Sequence, residues 1–593
     1  MNVLGISGHY HDAAAALVVD GQVVAAAAEE AFSRVKHDPA LPTQAIEYCL
    51  RAGGIGPGQL DAVAYHGKPI TTFVRILRTH LQVAPRGVGT FCRAMPEWFR
   101  DKLWVGYEID RVLRELGHVE PVPLHFTEHH ESHAASAFLP SPFERAAVLT
   151  FDGVGEWATT SIGVGSGAEL EIVEELQFPH SIGLLYAAFT EYCGFRVNSG
   201  EYKLMGLAPY GSPVYRARIL DDLVELHDDG SLRLDLRYFS FLNGRRMTNR
   251  RFADLFDGPR RSPESEITQR HMDVARSIQD VTEEIVLRIA RHAHEMTGAS
   301  DVCLAGGVAL NCVANGRLLR EGPFERVWVQ PASSDAGGAL GAALLVSNRS
   351  GALRRADGIH DAMSGSALGP EFDDEEIASH LDAIGASYRT FADTAERARS
   401  IATWLDDGLV VALFLGRMEF GPRALGHRSI IADPRDPEMA QRLNERVKRR
   451  ESFRPFAPAV LEESAGDWFR PSVSSPYMTL VTQVSPDAPS ALPSVTHVDG
   501  SARVQTVGRT DHPEFHEIIA AFDALTGCPV VVNTSFNVRG EPIVCTPADA
   551  YRCFMGTDID VLVLGSHVVM SSDRRPLVET GRIDAMTERR YGS

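Results

Sequence analysis

No CxxC pair occurs in the chain. Its eight cysteines (Cys49, Cys92, Cys193, Cys303, Cys312, Cys528, Cys545 and Cys553) are scattered, several among apolar neighbours. That spacing argues against a cysteine-rich metal knot and predicts reduced thiols of the interior. No apolar run is long enough to span a bilayer, and Met1-Asn2-Val3-Leu4-Gly5-Ile6-Ser7-Gly8 lacks the basic lead of an export signal. The expectation is a cytoplasmic protein with no membrane partner. Positive charge is also scarce: 58 basic against 78 acidic residues leave a net charge of -20, which repels a nucleic-acid backbone. No nucleic-acid partner is expected. What remains is ordinary globular composition, 44% hydrophobic and 23% charged, in 593 residues. That length exceeds what one hydrophobic core organises, so two or more domains are predicted.

The opening segment, residues 3–8, is a short apolar strand ending in glycine, and residues 14–19 and 22–28 around Asp20-Gly21 read as a hairpin. The same logic recurs at residues 146–151, Asp152-Gly153-Val154-Gly155-Glu156, 159–164 and 169–174, which predicts an internal duplication. Glycine turns that admit backbone N–H groups, beside one carboxylate, are how actin-like and sugar-kinase-like ATPases hold phosphates. Val274, Ile278, Val281, Ile285, Ile289 and Ala293 recur at helical spacing over 272–296. A strand at 302–305 then meets Gly306-Gly307-Val308-Ala309-Leu310-Asn311 at the start of another helix, a plausible nucleotide shelf. Residues 347–369, rich in Ser, Gly, Ala and charge, mark a domain boundary: a first domain at 1–350, a linker at 351–372 and a second domain at 373–593. An acidic helix from Asp373 and strands at 409–415, 477–481, 529–532 and 561–564 make the second domain α/β as well.

Candidate chemistry starts with His129 and His133, one turn apart on a predicted helix, a spacing that suits a metal. A HExxH zinc motif is excluded, because position 134 is alanine. Alone, such a pair is more often two hydrogen-bonded histidines. Asp152 and Asp335, each at a strand-to-glycine turn, change that: two imidazoles and two carboxylates suit a divalent transition metal, although either aspartate can simply cap its turn. His11-Asp12 follows the first strand at the mouth of the same cleft, where a histidine can exchange a proton near neutral pH. In the second half, residues 417–454 carry ten basic and six acidic residues, an island of +4. Asp436 is predicted to cap a helix with Pro437 in its first turn and Met439, Leu443 and Val447 as its apolar stripe, leaving Lys448 near the helix end. Lys448, Arg454 and Arg423 of the glycine-rich 420–426 loop can converge on phosphate. Ser535, within Asn533-Thr534-Ser535-Phe536-Asn537 at a strand end, and Arg503 are further contacts. The bland alternative for the island is a solvated face.

Taken together, these residues resemble, over nearly the whole chain, the carbamoyltransferase family that includes the nodulation-factor and tobramycin carbamoyltransferases. The resemblance is carried by His11-Asp12-Ala13, the His129/His133 pair, Phe151-Asp152-Gly153-Val154-Gly155-Glu156, the 200–211 segment from Gly200-Glu201-Tyr202-Lys203 to Pro209-Tyr210-Gly211, and Gly306-Gly307-Val308-Ala309-Leu310-Asn311. Further along, Gly421-Pro422-Arg423-Ala424-Leu425-Gly426-His427-Arg428-Ser429, Phe453-Arg454-Pro455-Phe456-Ala457-Pro458 and Asn533-Thr534-Ser535-Phe536-Asn537 carry it. It implies an actin-like, duplicated N-terminal domain (ASKHA class), related to the tRNA threonylcarbamoyl transferases, and a YrdC-like α/β C-terminal domain. The second domain would make carbamoyl-adenylate from carbamoyl phosphate and ATP, with Mg accompanying the nucleotide. The first would pass the carbamoyl group to a hydroxylated small-molecule acceptor, such as an antibiotic or another secondary metabolite. The resemblance further places a metal, iron, on His129, His133, Asp152 and Asp335, and substrate and nucleotide contacts on Arg423, Lys448, Arg454, Arg503 and Ser535. It assigns carbonyl polarisation to His11 and proton abstraction to Asp12. Three rivals remain: a tRNA threonylcarbamoyl transferase, which the charge opposes; an actin-fold small-molecule kinase, which needs no two-histidine site; and a nucleotide-gated binding module. Acceptor choice is expected in the loops at 68–117 and 212–264.

Overall fold

The computed structural model describes residues 1–355, 358–488 and 491–573. The first half holds two five-stranded sheets of identical topology. One contains β1 (Asn2–Ser7), β2 (Ala14–Val19), β3 (Gln22–Ala28), β4 (Ala62–His66) and β5 (Leu124–Thr127) in the order β3-β2-β1-β4-β5. The other contains β6 (Arg145–Phe151), β7 (Ala158–Ser166) and β8 (Glu169–Gln177). After a small hairpin of β9 (Val224–Leu226) and β10 (Leu232–Leu234) it is completed by β11 (Asp301–Ala305) and β12 (Arg326–Val329), in the order β8-β7-β6-β11-β12. In each sheet the first three strands form an antiparallel meander and the last two add in parallel. The duplication read from the glycine turns is therefore a duplication of the whole actin-like unit.

Equivalent helices follow the fifth strand of each unit, His129–Phe138 and Asp335–Arg349, and pack against each other. Their small residues allow it: a Cβ added to Gly341 would stand 1.8 Å from the Ser132 carbonyl oxygen. The apolar period at 272–296 belongs to one long helix, Gln269–Thr297, which stops where Gly298 takes a left-handed conformation (φ 59°). No helix among the described residues is long and apolar enough to cross a membrane.

The second half is built on one mixed eight-stranded sheet. It holds β13 (Arg389–Thr390), β14 (Val411–Phe414), β15 (Arg428–Ala432) and β16 (Ala457–Leu461), then, beyond a small sheet of β17 (Phe469–Arg470), β18 (Val481–Val484) and β19 (Ser501–Arg503), also β20 (Gln505–Val507), β21 (Val530–Ser535), β22 (Val561–Leu564) and β23 (His567–Met570). Its order is β13-β23-β22-β14-β15-β21-β16-β20.

Several expectations need correction. Residues 477–480 are not strand: Met478 is left-handed (φ 55°) and the Tyr477 hydroxyl donates to Asp361 at 2.8 Å, so β18 starts at Val481. Asp436 does not cap its helix. Its carboxylate accepts from the Glu438 N–H at 2.9 Å in the preceding turn, and the helix runs from Met439 into a wider π turn at Leu443–Lys448. Cys92 is exposed, whereas the other seven thiols are buried. Segment 351–372 is no loose spacer: Met363 and Leu368 are buried, and Arg355 lies 4.1 Å over the Phe138 ring and donates to the Phe138 carbonyl. The halves dock through side chains on backbone carbonyls, Arg417 reaching Val24 and Arg34 reaching Pro542 and Ile543.

Candidate active site

Candidate residues of the first half follow strand ends, most of them carboxyl ends of parallel strands, where α/β sheets bind ligands. His11 and Asp12 lie after β1, His66 ends β4, His129 opens the helix after β5, Asp152 follows β6, Gly306 and Gly307 follow β11, and Asp335 opens the helix after β12. Because the two units are packed face to face through their equivalent helices, those ends meet. His129 and His133 bring their Nε2 atoms to 3.2 Å. Asp152 Oδ2 lies 2.8 Å from His129 Nε2 and 3.6 Å from His133 Nε2, and Asp335 Oδ1 lies 3.6 and 3.5 Å from the same two nitrogens. The four residues singled out together as a ligand set thus share one buried pocket.

Three partners escaped the sequence reading. His66 places Nε2 at 3.8 Å from Asp335 Oδ1. His37 Nδ1 donates to Asp12 at 2.6 Å, beside the 3.2 Å contact between His11 Nδ1 and the other Asp12 oxygen. Glu156 accepts from the backbone N–H groups of Lys68 (2.6 Å) and His129 (3.0 Å), which pins the start of the histidine helix to the end of β4. Only Glu156 had a local signal, as the last residue of Phe151-Asp152-Gly153-Val154-Gly155-Glu156.

Burial opposes charge on His133, but hydrogen bonds to Asp152 and Asp335 outweigh it and push its pKa up to about 9. Against the same desolvation, His129 and His133 hold Asp152, and His11 with His133 hold Asp335, well below the ordinary carboxylate range. His66 is pushed down to about 3, chiefly by burial and then by His129, so its ring is neutral. Two carboxylates in such a site need positive charge beside them, which the raised His133 supplies here and a bound cation would supply in its place. The donor atoms of His66, His129, His133 and Asp335 all lie within 4.8 Å of one another, and both His66 nitrogens are buried without a hydrogen-bond partner. These residues fit a bound transition metal. Asp12, in spite of its burial, is held far below the usual range by His11 and His37. A carboxylate clamped between two imidazoles orients His11 and makes a poor proton acceptor, contrary to the abstraction role expected for it.

The glycine shelf adjoins this pocket. Gly306 is left-handed (φ 88°) and a Cβ there would strike the Phe151 carbonyl oxygen at 2.2 Å, while a Cβ on Gly307 would stand 3.1 Å from Asp152 Oδ1. Asn311 is engaged differently: its Oδ1 caps the helix Cys312–Glu321 by accepting from the Ala314 N–H, and its amide pairs with Gln279.

In the second half Lys448, Arg423, Arg454 and Arg503 lie near one another, with Arg450 among them. Lys448 is buried, and its Nζ donates among four oxygens: Ser535 O (2.5 Å), Ser535 Oγ (3.2 Å), Asn537 O (2.9 Å) and Asn537 Oδ1 (2.7 Å). These neutral acceptors do not compensate burial, which, with Arg450 and Arg454 nearby, drives the ammonium pKa well down. Burial and the Arg503 charge push Arg423 down to about 9, and burial with Arg454 does the same to Arg450. Among the described residues neither Arg423, Arg450 nor Arg503 pairs with a carboxylate. Arg454 lies 3.6 Å from Glu451 and 4.7 Å over the ring of Tyr202, which the first half contributes. Lys203, next to Tyr202, pairs with Glu451 at 2.8 Å. Part of the island, Lys448 with the half-buried Arg423, Arg450 and Arg454, lines a cationic pocket at the junction of the halves, while Arg446 and Arg449 stay on a solvated face.

A family model described as "Carbamoyltransferase N-terminus" matches residues 2–344, and one described as "Carbamoyltransferase C-terminus" matches residues 402–571. The chain belongs to the carbamoyltransferase family. The first match spans the imidazole–carboxylate pocket of this carbamoyltransferase and the second spans its cationic pocket. The enzyme is 54% identical to the protein sll1178 of Synechocystis sp. over 96% of both chains. It is 40% identical to nodulation protein NolNO of Sinorhizobium fredii over 95% of this chain and 80% of that one, and 41% identical to nodulation protein NolO of Bradyrhizobium diazoefficiens over 74% and 78%.

Proposed function

We propose that this carbamoyltransferase activates carbamoyl phosphate with ATP and delivers the carbamoyl group to a hydroxyl of a small secondary metabolite, in the cytoplasm. The observation that carries this reading is the pairing of two pockets: half-buried guanidinium groups without carboxylate partners around the buried Lys448 in one half, and an imidazole–carboxylate cluster in the other. Buried cations require anions, and a substrate pair rich in phosphate supplies them. For pyrophosphate to leave ATP, a carbamate oxygen must attack the α-phosphorus, so carbamoyl phosphate first loses its phosphate to water. Lys448, Arg423, Arg450, Arg454 and Arg503 hold the phosphates and neutralise the charge that develops, with Mg accompanying the nucleotide. The acceptor oxygen then attacks the carbamoyl carbon of carbamoyl-adenylate, and AMP leaves. His11, oriented by Asp12, and the glycine shelf at Gly306 and Gly307 face that step. A metal held by the histidines and aspartates, iron on this reading, supplies Lewis acidity toward the carbamoyl carbonyl when bound.

The test is mass spectrometry of purified enzyme with carbamoyl phosphate, ATP and a panel of hydroxylated metabolites. An acceptor-dependent carbamoylated product with one pyrophosphate released is expected. ATP cleaved to ADP, with phosphate on the acceptor, would overturn the reading in favour of a kinase.

Two further results are expected. Arg454→Lys keeps the charge but cannot reproduce a two-pronged grip or the stacking on Tyr202. The Michaelis constant for carbamoyl phosphate should rise roughly 10- to 100-fold, the ~1.5–3 kcal/mol of one hydrogen bond to a charged group. An unchanged constant would remove Arg454 from the phosphate grip. Second, bound phosphate favours the Lys448 ammonium, whose pKa is depressed in the free enzyme. At a pH between the free-state and bound-state values binding should therefore take up a proton, and affinity should be flat below the free-state pKa and fall as pH rises toward the bound-state value. Calorimetric titration in buffers of different ionisation enthalpy reads that uptake directly; proton release, or none, would place the phosphate away from Lys448.

A further inference from the structure

Resting on the metal-centre reading above, we propose that His66 is a third imidazole ligand of the same ion. Its ring is buried at the carboxyl end of β4 with both nitrogens unpartnered, a costly arrangement unless one lone pair has a Lewis acid to bind. The ring centroid lies 4.2 Å from that of His129 and 5.0 Å from that of His133, and it is inclined 76° to His133. Ligand atoms ~2.0–2.2 Å from one tetrahedral ion lie about 3.3–3.6 Å apart. The spacings here come close to that range: 3.2 Å between the His129 and His133 nitrogens, 3.6 and 3.5 Å from these to Asp335 Oδ1 and a longer 3.8 Å from His66 Nε2 to that oxygen, with all four donor atoms within 4.8 Å of one another.

The opposite helix is built to admit the ring. A Cβ at Gly338, one turn past Asp335, would stand 2.5 Å from both Cε1 and Nε2 of His66. Any side chain there would displace the imidazole from the pocket, so a helix interior carries a glycine, at a cost of roughly 1 kcal/mol in helix propensity. Asp152 approaches from the His129 side, at hydrogen-bonding distance from that ring. Three imidazoles with the carboxylates of Asp335 and Asp152 favour iron, cobalt, nickel or zinc over magnesium and manganese, which prefer all-oxygen sets.

The experiment uses full-length enzyme, stripped of metal and reloaded with cobalt(II), as wild type, His66→Gln, His133→Ala and Gly338→Ala. Visible absorption, chelator competition and the imidazole count from X-ray absorption are the readouts, none of which requires turnover. His66→Gln should weaken cobalt binding by about tenfold or more, shift the ligand-field bands and lower the imidazole count by one. Gly338→Ala should follow it. If His133→Ala loses cobalt while His66→Gln keeps wild-type affinity, bands and imidazole count, His66 is only a buried ring and the inference falls while the centre stands. If both variants bind cobalt as wild type does, the centre itself is refuted. Should His66→Gln fail to melt cooperatively in the metal-free state, His66→Ala with free imidazole replaces it. Saturable recovery of the wild-type bands then supports ligation, and wild-type bands without added imidazole exclude it.

Discussion

Lys448→Ala enzyme is expected to release no pyrophosphate from ATP and carbamoyl phosphate, yet to transfer carbamoyl normally from synthetic carbamoyl-adenylate supplied from outside. The ammonium of Lys448 sits at the end of a π turn, aimed at the carboxyl end of β21, where Ser535 and Asn537 surround it. It is the compact cation of a pocket whose other charges are planar guanidinium groups, and it is placed to meet phosphate oxygens that Ser535 also reaches. Removing it should cost at least ~100-fold in the activating half-reaction, the loss typical of a single preorganised electrostatic group. The truncation also takes from Ser535 and Asn537 the donor they share, although Ser535 O keeps the Asn537 N–H and Asn537 Oδ1 keeps the Ser535 hydroxyl, a destabilisation of about 1–3 kcal/mol. A cooperative melt must therefore accompany the assay. Loss of both half-reactions in a folded variant would contradict the division of labour.

His133→Ala should behave in the opposite way, making adenylate and pyrophosphate but leaving the acceptor unmodified, and it should be purified without stoichiometric metal. His133 is fully buried between Asp152 and Asp335, with a partner oxygen at 3.6 and 3.5 Å. Its loss leaves two desolvated carboxylates without their shared imidazole, which costs about 3–5 kcal/mol and should lower the melting temperature measurably. Metal content after replacing both His129 and His133 by alanine is the stricter check: stoichiometric metal in that protein would sink the ligand assignment. If Lys448→Ala and His133→Ala fail in the same half-reaction, a single composite site must replace the relay. Complementary failures require an intermediate that travels. Carbamoyl-adenylate, which water destroys, would need the shielded junction made by Tyr202, Lys203 and Glu451.

How much of this was legible beforehand depends on the range over which each feature is encoded. The hairpin of β2 and β3 reads directly from the two apolar runs flanking Asp20-Gly21, and the register pairs Val19 with Gln22. The long helix reads from its apolar period, and the His129/His133 pair from the 3.6-residue turn alone. These depend on neighbours in sequence, so local patterns suffice. The failures have local causes too: a left-handed residue at Met478 broke an otherwise strand-like run, and a backbone N–H of the next turn captured the carboxylate of Asp436 before it could cap the helix.

The amino-acid sequence by itself determined the two α/β halves, the duplicated strand–glycine units, the basic island and the residues on which the family resemblance rests. Only the tertiary structure decided that His66 lies beside His129, His133 and Asp335, that His37 clamps Asp12, that Arg450 and Tyr202 join the cationic pocket, and that Asn311 serves as a helix cap. Each of those contacts bridges distant segments. Asp335 reaches His133 because two helices lined with alanine and glycine pack close enough to bring their starts together, and Tyr202 reaches Arg454 because the halves dock there. Close packing of buried surfaces sets such distances, and no spacing along the chain records them.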